Sequence, residues 1–153
     1  GNTLILYNYV EKHGKPLYAA IDEKLNELPR RTRQLFFVSG SVETDERERI
    51  RAITEKEKDA IIVASMGTFS TGINIRNLHN IIFASPSKSQ IRILQSIGRG
   101  LRKSDDGRAT KVYDIADDLH WKKNRNYTLD HAGERIKLYA SEKFNYKIFE
   151  VPL

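Results

Sequence analysis

The sequence predicts an α/β fold in which a parallel β-sheet is flanked by helices on both faces, and two observations predict it. Short runs rich in β-branched and apolar residues recur at 3–7, 34–38, 60–64, 81–84 and 111–115. Stretches with helical spacing or turn signals separate them, which is the order that a parallel sheet with crossover helices needs. The length of 153 residues suits one such layered domain, long enough to bury about two-thirds of its unfolded surface.

Taken in order, the first run leads through Tyr7-Asn8-Tyr9 to a helix over 15–28. The second ends in Val38-Ser39-Gly40-Ser41 and opens a helix over 45–55. That helix begins with Asp45 and Glu48 at capping-box spacing, and Glu43/Arg47 and Asp45/Arg49 stand at i,i+4. The third run enters a stretch of small and hydroxyl residues from Ala64 to Ile75, and the fourth leads to a helix over 89–101. After the fifth run the pattern becomes polar and aromatic-containing, predicting one long helix over 127–144 and a short strand over 147–151. The expected division is therefore a main domain at 1–117 and a small C-terminal helical extension at 118–153, packed on it. No internal repeat, low-complexity tract or Pro-rich linker is present.

Composition narrows the partners. A formal charge of +6 favours an anionic one, of which nucleic acid is the commonest. There is no cysteine, which excludes disulfides and thiolate metal sites. The four histidines, His13, His79, His120 and His131, have no ligand-like spacing with carboxylates, so no metal site is expected. No apolar run approaches the roughly 20 residues needed to span a bilayer, and no signal-peptide pattern opens the chain, so no membrane partner and a cytoplasmic setting are expected. The single methionine is Met66, which suggests a segment of a longer polypeptide.

The most informative run is Gln95-Ser96-Ile97-Gly98-Arg99-Gly100-Leu101-Arg102. At roughly 100° per residue, Gln95, Arg99 and Arg102 fall within an arc of about 60°, while Leu94, Ile97 and Leu101 gather on the other side. One face packs and the other presents cations. Gly98 and Gly100 would each cost about 1 kcal/mol relative to alanine in a helix, so a close backbone approach to something anionic is a sufficient reason for them. Arginine suits that partner, because its guanidinium stays ionised and grips phosphate oxygens in a forked pair of hydrogen bonds.

This Gln-x-x-Gly-Arg-x-x-Arg pattern resembles motif VI of the superfamily-two helicases. The resemblance implies a RecA-like C-terminal helicase domain over about 3–117. It also implies that Arg99 and Arg102, with Gln95, act at the γ-phosphate of ATP as arginine fingers. Asn8, within Tyr7-Asn8-Tyr9, stands where motif IV would touch nucleic-acid backbone or support the nucleotide cleft, and a strand terminus with aromatic packing has the same residues. Gly40 and Ser41 lie in a turn whose N–H groups could receive a phosphate, and Arg47 with Ile50 matches the family's spacing beyond that turn. The same strand–turn–helix also forms without a ligand. The stretch from Ser65 to Asn74 resembles motif V, which implies phosphate contacts for Ser65 and Thr68 and nucleotide-side contacts for Gly72 and Asn74. Many relatives carry Asp where Asn74 stands; an amide still accepts a hydrogen bond.

Basic clusters at Arg30-Arg31-Thr32-Arg33, at Arg102-Lys103 with Arg108, and at Lys122-Lys123-Asn124-Arg125 suit either a nucleic-acid backbone or a solvated surface. Trp121 and Tyr127 flank the last, where they could stack on bases or pack. Asp117-Asp118 reads as a helix start rather than a catalytic pair. Nowhere does Gly-x-x-x-x-Gly-Lys-[Ser/Thr] occur, nor an Asp-Glu pair at a strand end. The resemblance thus implies half of an ATP site, with ATP and Mg2+ held mainly by an N-terminal RecA-like domain of the same polypeptide, and DNA, branched or duplex, as the substrate. Alone, the chain is expected to be inactive. Two other readings stay open: a superfamily-two motor of another kind, such as an RNA helicase or a chromatin or restriction translocase, and a nucleic-acid-binding module that does not hydrolyse ATP.

Overall fold

The computed structural model describes residues 1–30, 32–70, 75, 77–85, 107, 109–118 and 125–152. Five parallel strands form one sheet in the order β2-β3-β1-β4-β5: β1 Thr3–Tyr7, β2 Leu35–Val38, β3 Ile61–Ser65, β4 Asn80–Phe83 and β5 Lys111–Asp114. Each lies within a residue of its expected place. Helix α1 spans Lys15–Asn26, α2 Thr44–Lys56, a short α3 Met66–Ser70, and α4 Tyr127–Ser141. The expected helix over 89–101 lies outside the described residues.

Strand side chains alternate between the two faces. Leu4, Leu6, Ile62, Ala64, Ile81 and Phe83 gather on one face with Ile50 of α2 and Tyr139 of α4. Ile5, Tyr7, Ile61 and Val63 gather on the other with Leu17, Tyr18, Ile21 and Leu25 of α1. Burying an aliphatic side chain of this size contributes about 1.5–3 kcal/mol, so β1 and β3, buried along their whole length, anchor the domain.

Several local expectations are corrected. A π-helical turn, Val10–Gly14, precedes α1. Gly14 is required there, since a Cβ would meet the Tyr7 ring at 2.5 Å. The capping box at Asp45 does not form: Glu43 is the N-cap, without a side-chain cap bond, and Asp45 and Glu46 sit in the first turn, where their charge favours the helix dipole. Arg49 pairs with Glu46 at i,i+3 in place of the expected Asp45, and Arg51 pairs with Glu48 at i,i+3 and Glu55 at i,i+4. A helix starting at Asp117-Asp118 would run through residues 119–124, which lie outside the described residues; the two aspartates also brace α4: Asn126 caps α4 by accepting from Leu129 N, donates to Asp118 Oδ1 at 3.0 Å, and Thr128 Oγ1 donates to the Asp117 carbonyl at 2.6 Å.

Helix α4 stops short of 144 through a Schellman motif. Lys143 takes a φ of 57°, Lys143 N donates to Ala140 O, Phe144 N donates to Tyr139 O, and the two rings of Tyr139 and Phe144 meet. The expected strand over 147–151 is absent. Residues 144–152 carry no regular structure and are exposed, because an apolar run without a neighbouring ladder has nothing to bond its backbone.

Candidate functional site at the carboxyl edge of the sheet

All five strands point the same way, so their carboxyl ends share one rim, the edge where open α/β sheets gather ligands. Across it stand, in order, Ser39-Gly40-Ser41 after β2, Ser65 to Thr68 after β3, Asn8-Tyr9 after β1, Ala84-Ser85 after β4, and Asp114-Ile115 at β5.

The turn after β2 is closed by Val42 N donating to Ser39 O at 3.1 Å and by the Ser39 and Ser41 hydroxyls, 2.8 Å apart. Gly40 and Ser41 are exposed. Arg47, half-buried on α2, turns its guanidinium back to this loop: Nε donates to Val42 O at 2.7 Å and Nη2 to Gly40 O at 3.3 Å. It shapes the turn instead of pairing with Glu43. After β3, the Ser65 and Thr68 hydroxyls are buried and 2.6 Å apart, and Thr68 N donates to Ser65 Oγ at 3.3 Å. Ser65 thereby serves the first turn of α3 as a cap, and Gly67 beside it is exposed.

Asn8 is half-buried in the bend after β1. Tyr9 follows with its side chain largely in solvent and its ring edge-to-face with His13. His13 Nδ1 lies 2.9 Å from Ser85 Oγ, joining the exits of β1 and β4. Two residues earlier, Tyr7 is fully buried and stacked on Phe37, and burial pushes its phenol up to about 12.

Arg135 was not singled out by sequence, yet it is the largest fully buried side chain among the described residues. Its Nε and Nη2 donate to Asp114 Oδ2 and Oδ1 at 2.7 and 2.9 Å, Tyr139 OH donates to the same carboxylate, and Arg135 Nη1 has no hydrogen-bond partner among the described residues. Burial first, and then the bond to Asp114, pushes the Tyr139 phenol up. The i,i+4 spacing of Arg135 and Tyr139 is the only sequence signal of this latch.

Arg33 of the first basic cluster sits at the opposite end, bonded to Asp59, Gly1 and Thr3. Arg125 pairs with Asp130 and lies over the Tyr127 ring at 5.3 Å. Gly72, Asn74, Gln95, Arg99 and Arg102 lie outside the described residues, as do Arg31, Lys103, Arg108 and Trp121 through Asn124. Among the described residues no group of three His, Cys, Asp or Glu is placed to hold a metal, so they do not by themselves fit a magnesium ion. Among them, too, no helix is long and apolar enough to cross a membrane.

Residues 1–104 match the family model described as helicase conserved C-terminal domain. The chain belongs to that family. The helicase ATP-dependent DNA helicase uvsW of Enterobacteria phage T4 is 36% identical over 162 aligned residues, covering 99% of this chain and 31% of the phage protein. A Methanocaldococcus jannaschii protein, provisionally named an ATP-dependent RNA helicase, is 35% identical over 98 residues, 64% of this chain and 11% of its own. The chain thus spans less than a third of the length of these relatives. The crystal structure of the C-terminal part of the Fun30 ATPase domain shares the fold, with a TM-score of 0.56 at 17% identity over 95% of this chain and 49% of that one. The parallel five-stranded sheet is accordingly the RecA-like sheet of a helicase C-terminal domain.

Proposed function

We propose that this chain is the C-terminal motor domain of an ATP-dependent DNA helicase or translocase that unwinds or remodels branched DNA in recombination and repair. The observation that carries the reading is similarity along 99% of the chain to a protein named as an ATP-dependent DNA helicase. In this reading Arg99 and Arg102, with Gln95, reach the γ-phosphate of ATP across a cleft, and Gly72 and Asn74 face the same nucleotide. An N-terminal RecA-like domain of the same polypeptide holds ATP and Mg2+. Asn8, Gly40, Ser41, Ser65 and Thr68 line a path for backbone phosphates, and Arg47 supports it by holding the Gly40 and Val42 carbonyls. The Ser65 and Thr68 pair would have to open, or contribute through its backbone, to meet a phosphate. Different affinities of the two nucleotide states drive the cleft between closed and open.

In the full-length protein, Arg99→Ala or Arg102→Ala is expected to remove most DNA-stimulated hydrolysis. The arginine-finger range of about 10³ to 10⁵ corresponds to roughly 4 to 7 kcal/mol of transition-state stabilisation. Arg→Lys should rescue poorly, since lysine keeps the charge and loses the fork. The measurement is kcat beside a thermal melt and a DNA-binding curve, with the isolated chain as an inactive control. Near-normal turnover by the alanine variants, or robust ATPase activity of the isolated chain, would sink the reading. The similarity to the archaeal protein favours a second, an RNA motor; greater stimulation by RNA than by DNA would select it.

A further inference from the structure

We infer that Tyr9 is a stacking platform for an unpaired nucleobase of the strand that crosses the carboxyl rim, mounted there by His13 and Ser85. The inference rests on the nucleic-acid role proposed above and adds to it a contact with bases where the rim otherwise offers only backbone contacts.

Tyr7 and Tyr9 are separated by one residue and have opposite fates. Tyr7 is fully buried against Phe37, whereas Tyr9 is 63% exposed at the end of the central strand. Exposure alone does not set this ring apart, since Tyr127 is as open and Phe149 more so; what distinguishes Tyr9 is its mount. Tyr9 O accepts from His13 N at 2.9 Å and from Gly14 N at 3.0 Å, which closes the π-helical turn directly over it. Such turns are rare and are frequent at functional sites. Gly14 packs against the Tyr7 ring so closely that no side chain fits, so the turn is pinned to the core. The His13 ring meets Tyr9 at 5.3 Å and 72°, and is itself tied to Ser85 just beyond the neighbouring strand β4. An edge-to-face contact of this kind leaves at least one face of the phenol ring uncovered by His13. The platform is therefore held at its base and open at its face.

Its surroundings select the occupant. Because β1 lies between β3 and β4, Tyr9 stands between the Ser65 to Thr68 turn and Ser85, with exposed Gly67 nearby in the rim order and exposed Lys12 on its own turn. Aromatic rings beside a cation and a hydroxyl-lined path are how proteins hold single strands without reading sequence, since every base has a π-face. A net charge of +6 favours the same partner.

The test uses the full-length protein, a labelled oligo-dT, and an abasic oligonucleotide of the same length. Tyr9→Ala should weaken oligo-dT binding by roughly 5- to 150-fold, the loss expected for one stacked base. Binding to the abasic strand and the thermal melt should stay unchanged, and Tyr9→Phe and Tyr9→Trp should keep wild-type affinity. Unchanged oligo-dT affinity in Tyr9→Ala would overturn the inference, as would an equal loss on both strands or a failure of Tyr9→Phe to rescue. A raised KM for ATP with oligo-dT affinity intact would also overturn it, by assigning the ring to the nucleotide. Normal hydrolysis in Arg99→Ala and Arg102→Ala would instead remove the motor reading and leave the Tyr9 binding result standing.

Discussion

The two ends of the sheet solve opposite problems. At the amino end, the buried Asn2 side chain donates to the Thr54, Glu57 and Asn77 carbonyls at 2.8, 2.7 and 3.0 Å and accepts from Ala60 N at 2.9 Å. Its backbone N donates to His79 Nδ1, and its carbonyl accepts from His79 N and Asn80 N. One residue thereby ties the end of α2 to the starts of β3 and β4. Nearby, Arg33 fastens Gly1, Thr3 and Asp59. At the carboxyl end the hydroxyls of Ser39 and Ser41, and of Ser65 and Thr68, bond each other, and Gly40, Ser41, Gly67 and Tyr9 face water. The first end spends its polar groups on the fold, and the second keeps surface available for something outside the chain.

The contrast predicts that substitutions at the amino end cost stability and those at the carboxyl end cost binding. Asn2→Ala should have the largest effect on the fold, because it strips partners from several buried backbone groups at about 1–3 kcal/mol for each left unsatisfied; a total of about 2–5 kcal/mol is expected, partial relaxation included. A melt of the full-length protein checks it, beside a DNA-binding curve at a temperature where the variant is folded. A loss under about 1 kcal/mol would mean that the hub is dispensable.

Ser65→Ala should cost less, about 1 kcal/mol for a lost cap, and should weaken DNA binding while Asn2→Ala leaves it intact. A Ser65→Ala variant with unchanged affinity would remove that turn from the phosphate path.

A further effect, confined to alkaline pH, lies beneath the rim. In the folded protein Tyr7 keeps its proton to about pH 12, while the unfolded chain releases it near 10.0. Between those values the unfolded state binds fewer protons, so the stability due to this group, whole below pH 10, falls as pH rises toward 12. Tyr7→Phe should flatten this part of the alkaline decline, although it also gives up the 3.3 Å bond from Tyr7 OH to Val38 O. Melts across that range decide it, and an unchanged slope would assign the decline to other groups.

The sequence by itself determined the five strands, α1, α2 and the parallel order of the architecture, because β-branching and apolar periodicity are local properties of consecutive residues. It also carried the family, through Gln95, Arg99 and Arg102, whose meaning lies in type and spacing. What only the tertiary structure decided is which polar group meets which. Asn2 and Thr54, Arg33 and Asp59, His13 and Ser85, and Arg135 and Asp114 are far apart in the chain, and nothing in either residue's neighbourhood names the other. Arg47 stands at i,i+4 from Glu43 in the sequence, yet its guanidinium holds the Gly40 and Val42 carbonyls of the preceding loop instead. Residues 147–151 have the composition of a strand and form none, since a strand exists only when a second stretch of backbone lies alongside to complete its hydrogen bonds.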